Sequence, residues 1–267
     1  LPFNKAYRNG LSRVGCAICP YSSGWSEDLC GILYPDTVKP FIDKIRRGLE
    51  KNNVCTKESL YRVLNTVDFG NEYDFIAQIQ NKDERYCVLE GYLFPATYEF
   101  EQGAEPASVI RKFLDAFKSR WSEEFAAKAT ELGMSVDEIV VLASILEKEA
   151  KYAKDLSMMS SVFHNRLKSS YKKLESDATV LYVKDDYETN EQLATSKYNS
   201  YNTVGFIPGP ISNPGFEAIS AAFYPDKTSY MYFFSYKDGS TKYSKTLQEH
   251  QNAVAKAKAE GKYATQE

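Results

Sequence analysis

The chain has 267 residues, a formal net charge of −3, and 43% hydrophobic and 26% charged residues. That length holds one large domain or a domain plus an appendage, and the composition is that of a folded globular chain. No basic excess advertises nucleic-acid binding, and the longest apolar run, Ile139 to Leu146 with Ser144 inside it, falls far short of the roughly 20 residues that span a bilayer.

No basic-then-apolar leader is visible at the start of the sequence, which leaves open a cytosolic chain and one separated from its anchor. Residues 1 to about 35 are rich in Gly, Ser, Cys and Pro and carry no helical period. The cysteines Cys16, Cys19, Cys30, Cys55 and Cys87 are odd in number and confined to the first third, which does not read as a disulfide framework. Phe41, Ile42, Ile45 and Leu49 then fall at helical spacing, with Asn52-Asn53 as a stop. A short helix is expected from about Thr56 to Leu64, and strands with a turn at Pro95 over Cys87 to Phe100. Three helices follow: Pro106 to about Lys118, with proline in its first turn; Ser122 to Leu132, stopped by Gly133; and Val136 to about Tyr152. The third has the clearest start signal, a capping box of Ser135 and Glu138. A fourth helix is expected over Asp155 to Lys168.

Glu175 to Pro214 reads as a long irregular stretch, and its tyrosines suit a functional loop. A helix over Phe216 to Phe223 precedes a hairpin, Tyr230 to Tyr236 and Thr241 to Ser244 around Asp238-Gly239. Thr246 and Glu249 form a second capping box for a helix that ends at Gly261. Helices and a hairpin in blocks, without alternating β-α units, predict an α+β fold.

Chemistry is expected on the third helix. At about 100° per residue, Ile139, Ala143, Leu146 and Ala150 define its buried face, with Glu147 about 80° to one side and Glu149 about 80° to the other. A carboxyl at the edge of an apolar stripe is partly desolvated and suits a general acid. Solvated flanking glutamates would have the same spacing, and helix geometry does not choose between the two residues.

Several ordered blocks resemble the endolytic murein transglycosylase (YceG-like) family. They are Leu89-Glu90-Gly91-Tyr92-Leu93-Phe94-Pro95-Ala96-Thr97-Tyr98, Ala143-Ser144-Ile145-Leu146-Glu147-Lys148-Glu149, Ser161-Val162-Phe163-His164-Asn165-Arg166-Leu167 and Leu174-Glu175-Ser176-Asp177-Ala178-Thr179-Val180. Tyr198-Asn199-Ser200-Tyr201, Ile207 to Gly215 and the closing hairpin complete the resemblance over about residues 50 to 255. It implies a YceG-like catalytic domain over 50–267 with a glycan cleft. It also implies cleavage of the β-1,4 bond between N-acetylmuramic acid and N-acetylglucosamine in nascent strands, leaving 1,6-anhydro ends. In the family the second glutamate of the triplet is catalytic, here Glu149, and Asn165, Arg166, Asp177, Tyr198, Asn199 and Tyr201 stand at motif positions that line the cleft. No metal and no cofactor are expected. The implied partners are peptidoglycan strands and peptidoglycan synthases, and the implied location is the extracytoplasmic face of the cell membrane.

Two departures stand out. The membrane helix and small sugar-binding module usual in the family are not recognisable, and Thr241 replaces a motif-like histidine in the hairpin. Residues 1–49 form a separate Cys-containing segment, and Gly10 to Ser23 is similar to a C-terminal piece of phosphoadenosine phosphosulfate reductase-like proteins, without a nucleotide loop. Cys16, Cys19 and Cys30 offer at most three ligands of a zinc site. The alternative function is a non-catalytic glycan-binding or scaffold protein of the cell-wall machinery.

Overall fold

The computed structural model describes residues 57–264, apart from 97, 151 and 188. The helix expected around Phe41 to Leu49 and the cysteines Cys16, Cys19, Cys30 and Cys55 lie outside the described residues. Among the described residues the fold is α+β, helices and one two-stranded antiparallel sheet, divided into two compact units. No helix among the described residues is long and apolar enough to cross a membrane.

The first unit runs, within the described residues, from 57 to Glu124 and includes Ser212–Gly215. It holds α1 (Lys57–Thr66), α2 (Asp74–Ala77) and α3 (Pro106–Lys118), with α1 packed on α3. Pro106 opens α3 at a position whose N–H would have no helical partner, and the Glu105 carboxylate caps it by accepting from the Ser108 N–H at 3.0 Å. Ala107, Val109, Ile110, Phe113, Leu114 and Phe117 recur at three- and four-residue steps and are all buried. Phe117 meets Tyr92 edge-on at 5.1 Å, and Phe75 stacks on Tyr92 at 5.5 Å.

The apolar stretch from Cys87 to Phe100 forms turns, not the strands its composition predicts. A strand needs a ladder partner for its backbone, and here a side chain supplies one instead. Asn213 Oδ1 accepts from the N–H groups of Gly91 (2.9 Å) and Leu93 (3.0 Å), both buried. Gly91 lies at φ 89°, a left-handed conformation that only glycine adopts without strain. Asn213→Ala leaves two buried donors unsatisfied and is expected to cost about 2–4 kcal/mol. Urea unfolding checks this, and an unchanged midpoint would exclude the role.

The second unit comprises Phe125–Ile211 and residues from Phe216 onward. It contains α4 (Glu123–Leu132, its first turn at the boundary), α5 (Val136–Glu149), α6 (Leu156–Lys168), α7 (Asp177–Val183) and α8 (Asn190–Ala194). Then come α9 (Phe216–Phe223), β1 (Tyr232–Ser235), β2 (Thr241–Ser244) and α10 (Leu247–Ala259). The expected capping boxes form at both Ser135/Glu138 and Thr246/Glu249.

α5 is the axis of this unit, packed by α9, α6 and α7. Every residue from Ile139 to Leu146 is therefore buried, where periodicity alone predicts a single apolar stripe. Ser144 within that run is fully satisfied: its hydroxyl donates to the Val141 carbonyl (2.7 Å) and accepts from the Ile211 N–H (3.0 Å). His164 Nε2 lies 2.9 Å from the Ala222 carbonyl, tying α6 to α9, and burial holds its imidazole below the ordinary histidine range. β1 and β2 pair from Tyr232↔Ser244 to Ser235↔Thr241, and α10 packs on both strands.

The stretch from Glu175 to Pro214 is less irregular than its composition suggests, because α7 and α8 lie within it. Helices of seven and five residues are too short to write a periodic signal.

Candidate active site

The second unit brings its carboxylates together where α5 stops. The helix ends three residues earlier than its apolar period implies, because Ala150 turns to an extended backbone (φ −84°, ψ 115°) while its N–H still bonds the Leu146 carbonyl. Glu149 is thus the last helical residue. It is half-buried, whereas Glu147, on the other flank, is exposed. Tertiary packing separates two glutamates that helix geometry leaves equivalent.

Side chains from outside α5 gather at this helix end. The Ser176 hydroxyl donates to Glu149 Oε1 at 2.5 Å. The Tyr201 hydroxyl donates to Asp177 Oδ1 at 2.6 Å. Burial, the hydrogen bond to Asp177 and the negative charges of Asp177, Glu149 and Glu175 all raise the pKa of the Tyr201 phenol, in that order. Tyr201 is therefore a neutral donor at neutral pH, set among three carboxyl groups.

Glu175, absent from the sequence-derived set, has its own anchors. The Tyr171 hydroxyl donates to it, and Arg166 Nη1 lies 3.3 Å from its Oε2. Its backbone sits at φ 50°, a costly conformation for a non-glycine residue, held by an N–H donated to the Ser200 carbonyl. The signal that could have found Glu175 and Ser176 is their place beside Asp177 in one motif block. Tyr171 and Tyr201 are both exposed and present ring surface beside the carboxylates.

The other motif residues make their contacts within the fold. Asn165 Nδ2 donates to the carbonyls of Thr228 (3.0 Å) and Tyr230 (2.9 Å). Arg166 is buried, donates from Nε to the Met231 carbonyl (2.6 Å) and from Nη1 to the Leu174 carbonyl, and lies over the Tyr232 ring. Together they fasten the segment leading into β1 to the end of α6. Tyr198 is buried against Tyr182, with ring centroids 5.3 Å apart. Asn199, also buried, accepts from the Tyr201 N–H at 3.1 Å and so shapes the turn that presents that tyrosine. Of the six residues expected to line a cleft, Tyr201 lies among the carboxylates that include Glu149, with Asp177 bonded to it. The remaining four bond or pack within the fold that carries them.

The sequence profile of the YceG-like family matches residues 31–256, a span that contains every residue of this cluster. The chain belongs to the YceG-like family. The match begins inside the N-terminal Cys-containing segment, ahead of residue 50. Among curated relatives, the endolytic murein transglycosylase of Bacillus subtilis (strain 168) is 38% identical over 172 residues, covering 63% of this chain and 48% of that protein. The endolytic murein transglycosylase of Streptococcus pneumoniae serotype 2 is 31% identical over 187 residues, covering 66% of this chain and 33% of its own length. The chain therefore spans half or less of these relatives. A crystal structure of a yceG-like protein from Listeria monocytogenes superposes with a TM-score of 0.64 at 32% identity, over 80% of this chain and 71% of that one.

Proposed function

We propose that this YceG-like chain is an endolytic peptidoglycan lytic transglycosylase with Glu149 as its acid and base. The observation that carries the reading is the setting of Glu149: a half-buried carboxyl at the end of a buried helix, bonded to Ser176 and flanked by Glu175 and Asp177.

The chemistry then needs one residue. Protonated Glu149 gives its proton to the glycosidic oxygen as the bond to C1 of N-acetylmuramic acid breaks. The resulting carboxylate takes the proton of the 6-hydroxyl as that oxygen closes on C1, forming the 1,6-anhydro ring and restoring the acid. One carboxyl acts in both directions, so no second carboxylate is required as nucleophile or to activate water. Glu175 and Asp177 supply negative potential for the oxocarbenium-like transition state. The exposed rings of Tyr171 and Tyr201 suit stacking on sugar faces. Asn165, Arg166, Tyr198 and Asn199 belong to the substrate-binding region as the residues that hold its walls.

The names of the relatives support the activity on murein. From the family resemblance alone, the proposed place is the extracytoplasmic face of the membrane, among peptidoglycan strands and their synthases. Residues 50–267 carry the catalytic domain, and residues 1–49 the separate Cys-containing segment. Incubation with uncrosslinked glycan strands and mass spectrometry of the products tests the activity. Products lighter than the hydrolytic ones by one water are expected. Products with ordinary reducing ends would make the protein a hydrolase, and strand binding without cleavage would favour a scaffold.

A further inference from the structure

Ser176 occupies the residue position just before α7, where a serine hydroxyl ordinarily accepts from the backbone N–H two or three residues on and steadies the helix. It makes no such bond. Its hydroxyl points the other way and donates to Glu149 Oε1. A short helix thus forgoes a cap worth about 1 kcal/mol, and the freed hydroxyl meets the one carboxyl to which the proposed chemistry is assigned.

The backbone of Ser176 is fixed independently. Its N–H donates to Ser200 Oγ at 2.9 Å, and its carbonyl accepts from Thr179 Oγ1 at 2.7 Å. Thr179 Oγ1 and Ser200 Oγ are themselves 2.8 Å apart. Ser176, Thr179 and Ser200 are each no more than 2% exposed. This buried hydroxyl cluster joins the start of α7 to the turn that carries Tyr201. Two of the three hydroxyls serve the backbone, and the third is directed at Glu149.

We infer that Ser176 is a positioning residue that holds the Glu149 carboxyl in its reactive orientation. The inference rests on the reading of Glu149 as the acid. A glutamate at a helix end has three side-chain torsions to fix, and a hydroxyl on a rigid support fixes the terminal one. The same hydroxyl follows the carboxyl through the cycle. It donates to the carboxylate form and can turn to accept from the acid form, so it supports both states without holding the group in either.

The test is steady-state cleavage of uncrosslinked glycan strands by the full chain and its Ser176→Ala and Ser176→Thr variants, with Glu149→Gln in parallel. Ser176→Ala is expected to lower kcat by about 10- to 100-fold, with KM changed less than about twofold. Ser176→Thr, which keeps the hydroxyl, is expected to restore most of that rate. Wild-type kcat in Ser176→Ala would overturn the proposal. So would loss of kcat in both variants together with a raised KM and a lowered melting temperature, the pattern of a purely structural residue. If the alanine variant does not fold, Ser176→Cys, similar in size but a weak donor, is judged by the same kcat and KM criteria. An active Glu149→Gln would remove the acid assignment itself, whereas an inactive Glu149→Gln beside an unimpaired Ser176→Ala would remove only the positioning role.

Discussion

Glu149→Gln is expected to lower the rate of glycan cleavage by at least about 1,000-fold, the scale on which loss of an essential general acid with its charge chemistry is felt. Glutamine has nearly the same shape, and its amide oxygen can still accept from Ser176 Oγ. What it loses is the exchangeable proton. Because the shape and the Ser176 contact are kept, the melting temperature is expected to stay level. Glu147→Gln is the matched control, because Glu147 is exposed on the opposite flank of α5 and is expected to keep wild-type activity. Quantifying anhydro ends released by each variant decides the matter. Cleavage at the wild-type rate by Glu149→Gln, or equal losses in both variants, would remove Glu149 from its role.

Arg166→Ala should produce the largest loss of stability. The buried guanidinium donates to the carbonyls of Met231 and Leu174, pairs with Glu175 and lies 5.1 Å from the Tyr232 ring centroid. Burial holds its pKa below the ordinary arginine range, but these acceptors keep it charged at any working pH. Removing it strands two carbonyls and leaves Glu175 without its cation, a change worth about 3–5 kcal/mol. For a unit of this size that corresponds to a fall of about 10 °C or more in melting temperature. Arg166→Lys is not expected to rescue it, since one ammonium cannot reproduce a fork that serves three acceptors on two chain segments. Thermal unfolding with strand-cleavage assays separates two cases. An arginine that only contacted sugar would raise KM and leave the melting temperature unchanged, and that outcome would contradict the structural role.

The contrast between Arg166 and Asp177 shows where sequence reading reaches its limit. Both stand in motif blocks and both are charged, so motif position gives them the same expectation. In the fold, Arg166 is buried and bonded to the segment that enters β1, while Asp177 is exposed and accepts from Tyr201. The same holds within one four-residue block. Tyr198 is buried against Tyr182, whereas Tyr201, three residues on, is exposed beside the carboxylates. A tyrosine's half-apolar chemistry fits either place, and only the turn fixed by Asn199 decides which one faces out.

The sequence by itself determined the local elements whose signals are local. Caps at Ser135 and Thr246, the proline opening α3, the glycines closing α4 and α10 and the hairpin turn at Asp238-Gly239 each act within a few residues, so their positions are written in the chain. It also determined the family, through blocks whose order and content recur. Tertiary structure alone decided which glutamate of α5 is sheltered, why that helix stops at Glu149, and that Ser176 and Glu175 complete the cluster. The reason is distance along the chain. Glu149 meets Ser176 from 27 residues away, and the Asn213 side chain supplies the acceptor for backbone N–H groups of a segment some 120 residues earlier. No periodicity or propensity encodes such pairings, because they exist only once burial has brought the segments together and excluded water from between them.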